Sequence, residues 1–537
     1  MSVAVLDFQN LSRDTADAFL GDGLAEELTG RLGQVGRFTV TSRAVVRRLP
    51  NAATMPLPQI GRTLNVSYLV NGSVRRAGTR LRVNVELLRA SSGVQEWSSQ
   101  YDRSESDLLT LQEEVATAVA QGIAGRLLPA ERSRLATRPT QNADAYELYL
   151  RGRALRWAPP AAPLLERAVA LDTGFAAAWA ELATTHSSAY WNYADRSEAR
   201  LDRARAAAAR ALRLAPDLAA AHVAMGYYHY WGRRDYAAAL TEFGAAVALQ
   251  PNSADVHAAM ANVARRQGRW DVSLASRLRG IALSPNDEPE LSEVVFTNLV
   301  LRRFAAADSF AQRAVAADST SGEAPLYRFA VSLARGAPVG TVSAGDAALR
   351  TREAVAEALL NATWMLQLLR LDTAMQSEVV RLPAPSGDDE RDAQLLMRAQ
   401  VLALLGNRAA AMASYDSLRI QFEAVVLRRP DDDGFRALLA TAYAGVGRSA
   451  DAVREAREAL RLLPPERDAL TGVEHLQGLA EVLWQAGDTT AALDVLDRVL
   501  AMPGVMSVPM LRSDPLWAPL HGNPRFDRLL ATPQRSW

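Results

Sequence analysis

Pro216, Pro251 and Pro285 punctuate the chain at intervals of 35 and 34 residues, and Pro430 and Pro464 again stand 34 apart. Ser319, after AVAAD, falls where a further proline of the series would stand. The residues between are rich in Ala, Leu and Arg and carry apolar positions at helical spacing. A period of this length holds two short helices and their turns. One such pair cannot bury its apolar face alone, so each pair must pack on those before and after it.

The internal pattern of the segments agrees. In 255–286, Met260 and Ala261 sit mid-helix, Gly268 marks a turn, Trp270 follows it, and Gly280 is the small residue of a second helix. Residues 436–464 repeat the plan with Leu439, Tyr443, Gly447, Ala452, Ala459 and Pro464. In 221–252, Tyr236, Ala239, Phe243, Ala246 and Pro251 fit, with one extra residue expected in the turn. This is the tetratricopeptide signature, and about nine repeats fit between 143 and 503. The reading divides them into a first array over 143–334, irregular repeats or a connector over 335–395, and a second array over 396–503. A tail follows over 504–537.

The first 135 residues follow other rules. VAVLDF (3–8) reads as a strand, and Leu20, Leu24, Leu28 and Leu32 form the stripe of an amphipathic helix. FTVTSR (38–43) reads as a strand and 59–64 as a short helix. Alternating runs from Tyr68, from Leu81 and up to Tyr101 then predict a three-stranded meander with one buried face. A helix over 108–128 can cover it. The expected fold is an α+β module in the order β-α-β-α-β-β-β-α, followed by an all-α superhelical solenoid. TRPTQN (137–142) is the expected boundary. Gly21 and Gly23 fall inside the helix stripe rather than ahead of it, so they read as small residues that bring the helix close to the sheet, not as a dinucleotide fingerprint.

Composition closes several enzyme classes. The chain has no cysteine, and its 60 basic residues are all Arg, so no Walker lysine, Schiff-base lysine or thiolate is available. Sixty acidic residues balance them, which leaves no net field for nucleic acid or an anionic membrane. The six histidines begin at His186 and form no metal motif. His222 and His229 read as ordinary helix residues. Asp7, Asp22, Glu26 and Glu27 come without an evident catalytic partner. No catalytic residue, cofactor or metal is expected. With no leader and no apolar run long enough to span a bilayer, the chain as written reads as cytoplasmic.

VAVLDFQNLS (3–12), FLGDGLAEELTGRL (19–32), IGRTLNVSYLVNGSVRRAGTRLRVNVELL (60–88), WSSQYDR (97–103), NADAYELYLRGR (142–153) and MLRSDPLWAPLHGNPRFDRLL (510–530) together resemble a bacterial arrangement, a TolB-like module followed by tetratricopeptide repeats. The resemblance implies a regulatory, partner-binding protein and no catalytic residues. In that family the pair commonly follows a kinase, cyclase or winged-helix effector, often beyond a membrane helix. Neither is in this sequence. It therefore reads as a stand-alone relative or as the sensory part of a longer, membrane-anchored protein, in which case an extracytoplasmic place follows.

The expected function is a non-catalytic scaffold or sensor that binds a protein or peptide, with no nucleic acid and no membrane insertion by this chain. The alternative is an α/β module that senses a small molecule and repeats that relay it to an effector. First helices line the concave face of such arrays, and two aromatic clusters fall there, SSAYWNY (187–193) and GYYHYW (226–231). The candidate partner-binding residues are Tyr190, Trp191, Tyr227, Tyr230, Trp231, Asn262, Arg265 and Arg266, because ring faces bury a large area and Arg can hold a carboxylate or carbonyl.

Overall fold

The computed structural model describes residues 1–12, 14, 17–49, 54–104, 107–155, 157–158, 160–192, 195–318, 323–337, 373–381 and 391–537. Most of the irregular stretch expected over 335–395, and Tyr193, lie outside these. The chain divides into two compact units, one of residues 1–263 with 275–287, the other of 264–274 with 288–537.

The first unit opens with β1 (Ser2–Val5), β2 (Gln9–Asn10), α1 (Ala18–Gly33), β3 (Thr39–Val40), α2 (Arg43–Arg47), α3 (Leu57–Leu64), β4 (Tyr68–Ala77), β5 (Arg80–Arg89), β6 (Gln95–Ser104), α4 (Leu108–Ala124) and α5 (Pro129–Leu135). The sheet order is β3-β1-β4-β5-β6, with β1 parallel to both neighbours, β2 parallel to β4, and the remaining pairs antiparallel. The order is thus β-β-α-β-α-α-β-β-β-α-α, which corrects the expected one in three places. The first strand divides after Val5 and rejoins β4 as β2, opposite Ser73 and Val74. The second strand is cut short because the Ser42 side chain accepts from the Ala44 N–H and starts α2. The helix after the meander ends at Gly125, in a left-handed conformation, before α5 begins.

Leu81, Val83, Val85 and Leu87 on β5 are fully buried under Leu111, Val115 and Val119 of α4, the alternation read from the sequence. On α1, Leu24, Leu28 and Leu32 face the same core. A Cβ on Gly21 would overlap the carbonyl oxygen of Phe8, so this glycine lets the helix close up on the link between β1 and β2. Gly23 does something else. It packs against Leu150, on the helix that follows the module.

That helix, α6 (Ala143–Ala154), starts a series of pairs: α7 (Ala161–Leu171), α8 (Ala176–Trp191), α9 (Glu198–Leu214), α10 (Ala219–Tyr227), α11 (Tyr236–Leu249), α12 (Ala254–Arg266) and α13 (Trp270–Leu283). Helix α1 packs on α6, and one apolar core runs from Val3 on β1 through Tyr146 and Phe175 to Ala224 on α10. The α/β segment and the first pairs therefore share a core across 137–142.

The second unit continues with α14 (Glu288–Val300), α15 (Phe304–Ala317) and α16 (Glu323–Ala334), then helices Thr373–Arg381, Arg391–Leu404, Arg408–Arg428, Asp433–Gly445, Ser449–Leu462, Thr471–Gln485 and Thr489–Leu500. Helix Pro524–Ala531 packs on the last of these and on Val508–Ser513, which itself packs on α16, and Trp517 nearby is fully buried.

Two regularities hold the pairs in step. First helices pack both on their own partner and on the first helix of the next pair where α8 meets α9 and α10, and where α14 meets α15 and α16. Within the pairs, Arg234, Gly268, Arg302 and Gly336 all have positive φ, from 50° to 89°, at intervals of 34 residues. Each ends a first helix in a left-handed cap, which at Arg234, Gly268 and Arg302 turns the chain into the second helix.

The prolines recur for a related reason. The carbonyl of Pro216 accepts from His222 Nε2 (2.9 Å), that of Pro251 from His257 Nε2 (3.1 Å), and that of Pro430 from Arg436 Nε (2.7 Å). In each case the donor lies six residues on. His222 and His257 are thus structural donors.

The extra residue of the 221–252 segment lies elsewhere than expected. From proline to left-handed residue the interval is 17 for Pro251–Gly268, Pro285–Arg302 and Pro430–Gly447, but 18 for Pro216–Arg234. The surplus is absorbed inside the first helix, as the π-helical turn Tyr228–Arg233.

Candidate functional site

The π turn widens the helix by one residue where five aromatic rings meet. Tyr227 and Trp231 stack at 3.8 Å between centroids, 16° from parallel. Trp157, just past α6, meets both edge-on at 6.0 and 6.1 Å. Trp191, the last residue of α8, lies 6.4 Å from Trp231 and 5.5 Å from Tyr230. These residues come from the C-terminal ends of three successive first helices. Trp157, Trp191, Tyr227 and Trp231 are half-buried, so each keeps part of a ring in water.

Three of the residues expected here do other things. Tyr230 is 4% exposed and packs on Tyr236, so it belongs to the core beneath the rings. Tyr190 joins a separate cluster with Leu201, Ala204 and Tyr228, and the Arg196 guanidinium lies 5.1 Å from its ring. Asn262 accepts from Arg277, a fully buried guanidinium, and so positions a core cation.

The two arginines of the other unit are also engaged. Arg265 pairs with Glu293 and lies over the Phe296 ring at 5.4 Å. Arg266 reaches Asp468 at 3.3 Å and donates to Thr471. Their guanidinium groups are therefore spent on intramolecular partners.

Trp157 was not foreseen. It sits in a loop with φ of 67°, where helical periodicity carries no information. Its Nε1–H donates to Glu181 Oε1 (2.8 Å) on α8. Glu181 in turn lies 3.9 Å from Arg153 on α6, and Arg153 Nη2 donates to Glu26 Oε1 (3.0 Å) on α1. A chain of polar contacts thus runs from the α/β segment to the rings.

At its far end, the module carboxylates meet cations. Arg43, 4% exposed, donates to the Val5 carbonyl (2.9 Å) and pairs with Asp7, with Asp22 and Glu26 at 3.8 and 3.9 Å. Arg47 lies 3.4 Å from Asp22, and Glu27 accepts from Arg31 at 2.8 Å. The cavity among Asp22, Gly23, Glu26, Arg47, Leu150 and Arg153 measures about 10 Å³, room for one water molecule. In the other unit a wider depression of about 360 Å³ lies against Trp270, Arg303 and Trp537.

His186, buried on α8 beside these elements, is pushed down to about 4 by desolvation and by the neighbouring Arg200 and Arg203 charges. Its Nδ1 accepts from Arg200 Nη1 at 2.9 Å, a role open only to the neutral ring. Among the described residues, no group of His, Asp and Glu is placed to hold a metal ion, and no helix is long and apolar enough to cross a membrane.

No known family profile matches the chain. A stretch of 201 residues, 36% of the chain, is 31% identical to a protein of Rhizobium meliloti (strain 1021) provisionally named adenylate cyclase 3. The chain spans 34% of that protein, about a third of its length. Among solved structures, the chain is similar to PilW, a type IV pilus biogenesis factor, at 20% identity and a TM-score of 0.31, over 38% of this chain and 94% of that one. It is also similar to human IFIT1, solved as a dimer with PPP-AAAA, at 14% identity and 0.37, over 67% and 84%. Lipoprotein GNA1162 from Neisseria meningitidis aligns at 22% identity and 0.18, over 24% and 99%.

Proposed function

We propose that this chain is a non-catalytic interaction scaffold of the tetratricopeptide type, which takes a protein or peptide segment over Trp157, Trp191, Tyr227 and Trp231. One observation carries the reading: four half-buried rings from three consecutive pairs share one patch, at a π turn that the repeat does not need. Rings of this kind bury much area with few rotamers to freeze, and π turns recur at functional positions. The TolB-like module acts as a second recognition or coupling unit, and neither nucleic acid nor a membrane is a partner of this chain.

Peptide display tests this reading. Random peptides are selected on the intact protein and counter-selected on Tyr227→Ala/Trp231→Ala, with helicity of the variant checked by circular dichroism. Sequences retained by the parent and lost by the variant support it; equal retention overturns it. Measurable conversion of ATP to cyclic AMP or to ADP by the purified chain would refute the non-catalytic part.

A second reading, an input module whose α/β segment is relayed by the repeats to an effector, is favoured by the contacts from Glu26 through Arg153 and Glu181 to Trp157. On that reading Arg153→Met changes peptide affinity without touching the rings. Unchanged affinity would leave only the scaffold.

A further inference from the structure

We infer that the second unit carries a separate peptide site, whose ligand is an extended segment presenting a tryptophan, and that the chain's own tail fills it in competition. The site is built on Arg302. This residue turns the chain between α14 and α15 with φ of 54°, where Gly268 and Gly336 serve one period earlier and later. A side chain is strained there, so its retention points to a use for it. The guanidinium is 3% exposed and donates to the carbonyls of Leu500 (2.8 Å) and Met506 (2.9 Å). Among the described residues no carboxylate pairs with it, and desolvation pushes it down to about 10. A cation buried without a counter-charge is costly, and a π face is a neutral group that offsets the cost.

The tail supplies that face. The Trp537 ring lies 4.5 Å from the Arg302 guanidinium carbon. The Trp537 N–H donates to the Leu301 carbonyl (3.1 Å), and its carbonyl oxygen accepts from Arg303 Nε. Three successive residues of one turn thus hold the ring and backbone of a single residue. Three positions earlier, Gln534 Oε1 accepts from the Val508 N–H at 2.6 Å. Thr532, Pro533, Arg535 and Ser536 are exposed, so the segment is held chiefly by Gln534 and Trp537. These contacts define the ligand: an indole for Arg302, a backbone N–H and carbonyl for Leu301 and Arg303, and an amide three residues before the indole. The depression of about 360 Å³ beside Trp537, lined also by Trp270 and Arg269, is room that the tail leaves open to a longer segment.

The test uses the full chain with Trp537→Ala and a fluorescent copy of residues 531–537. Anisotropy should show saturable binding to this variant. The wild type should bind about tenfold more weakly or worse, because its own tail competes at an effective concentration on the order of 1 mM. Gln534→Ala loosens the tail without removing its ring and should fall between the two. It also decides the matter should Trp537→Ala lose its helical signal. A copy with alanine for its tryptophan should not bind, and one with phenylalanine should bind less than the parent copy.

No saturation with the loosened variants up to that concentration, equal affinity of wild type and variants, or equal binding of the alanine copy would each overturn this assignment. Adding Tyr227→Ala/Trp231→Ala to the Trp537→Ala chain should leave the affinity unchanged. A loss there would move the peptide away from Arg302 and also overturn it. The patch around Tyr227 and the site at Arg302 can therefore fail independently.

Discussion

Tyr227 and Trp231 lie four residues apart and stack nearly parallel at 3.8 Å, one ring in the last turn of α10 and the other inside the π turn that follows it. The pair depends on one surplus residue. Deleting His229 restores the 17-residue interval from Pro216 to the turn and rotates every following ring by about 100° about the helix axis. The near-ultraviolet dichroism of the stacked rings should fall sharply while the far-ultraviolet helical signal persists. An unchanged near-ultraviolet band would show that the stack does not need the π turn.

Gly21 lies where the Phe8 carbonyl, in the link between β1 and β2, presses on a helix. Alanine is the better helix former by roughly 1 kcal/mol, yet its methyl would meet the Phe8 oxygen. Gly21→Ala should therefore destabilise the first unit by about 1–3 kcal/mol, because backbone, unlike a side chain, cannot swing aside. Urea unfolding followed at the tryptophans measures this, and a stabilised variant would contradict the close approach.

At Arg234, φ is 50°, in the region where a Cβ is strained. Arg234→Gly and Arg234→Ala remove the same side chain. The glycine variant should be the more stable by about 1 kcal/mol, the reverse of the usual helix ranking. Equal midpoints for the two would argue against a left-handed cap at this turn.

His186 supplies a pH dependence. Its ring titrates at about 4 in the folded protein against 6.5 in the unfolded chain, so the unfolded state holds the extra proton first as pH falls. The associated stability is complete above about pH 6.5 and declines as pH drops toward 4, by about 3 kcal/mol in all. His186→Gln should remove one proton from the slope in that window. A slope identical to that of the wild type would mean the ring is solvated.

The period and the sheet were legible because both are written in spacings. Prolines, turn residues and alternating apolar positions are local signals that tertiary packing has no reason to erase. The candidate site was legible only in outline. Tyr227, Tyr230 and Trp231 look alike in sequence, and only the π turn, which shifts the register by one residue, decides that Tyr230 goes inward. Arg265 and Arg266 read as candidate partner-binding residues, but their carboxylates lie 28 and 202 residues away and no local pattern announces them. Trp157 escaped notice because a single loop residue has no period.

The packing of α1 on α6 has one more consequence. A stack of like pairs leaves a bare apolar face at each end, and such a face fits the opposite end of another copy. Gly23 against Leu150, with the sheet behind α1, fills the place an earlier pair would take, and the helices around Trp517 do the same after Thr489–Leu500. The first pair of the series is thus covered by α1 rather than by a further helix pair.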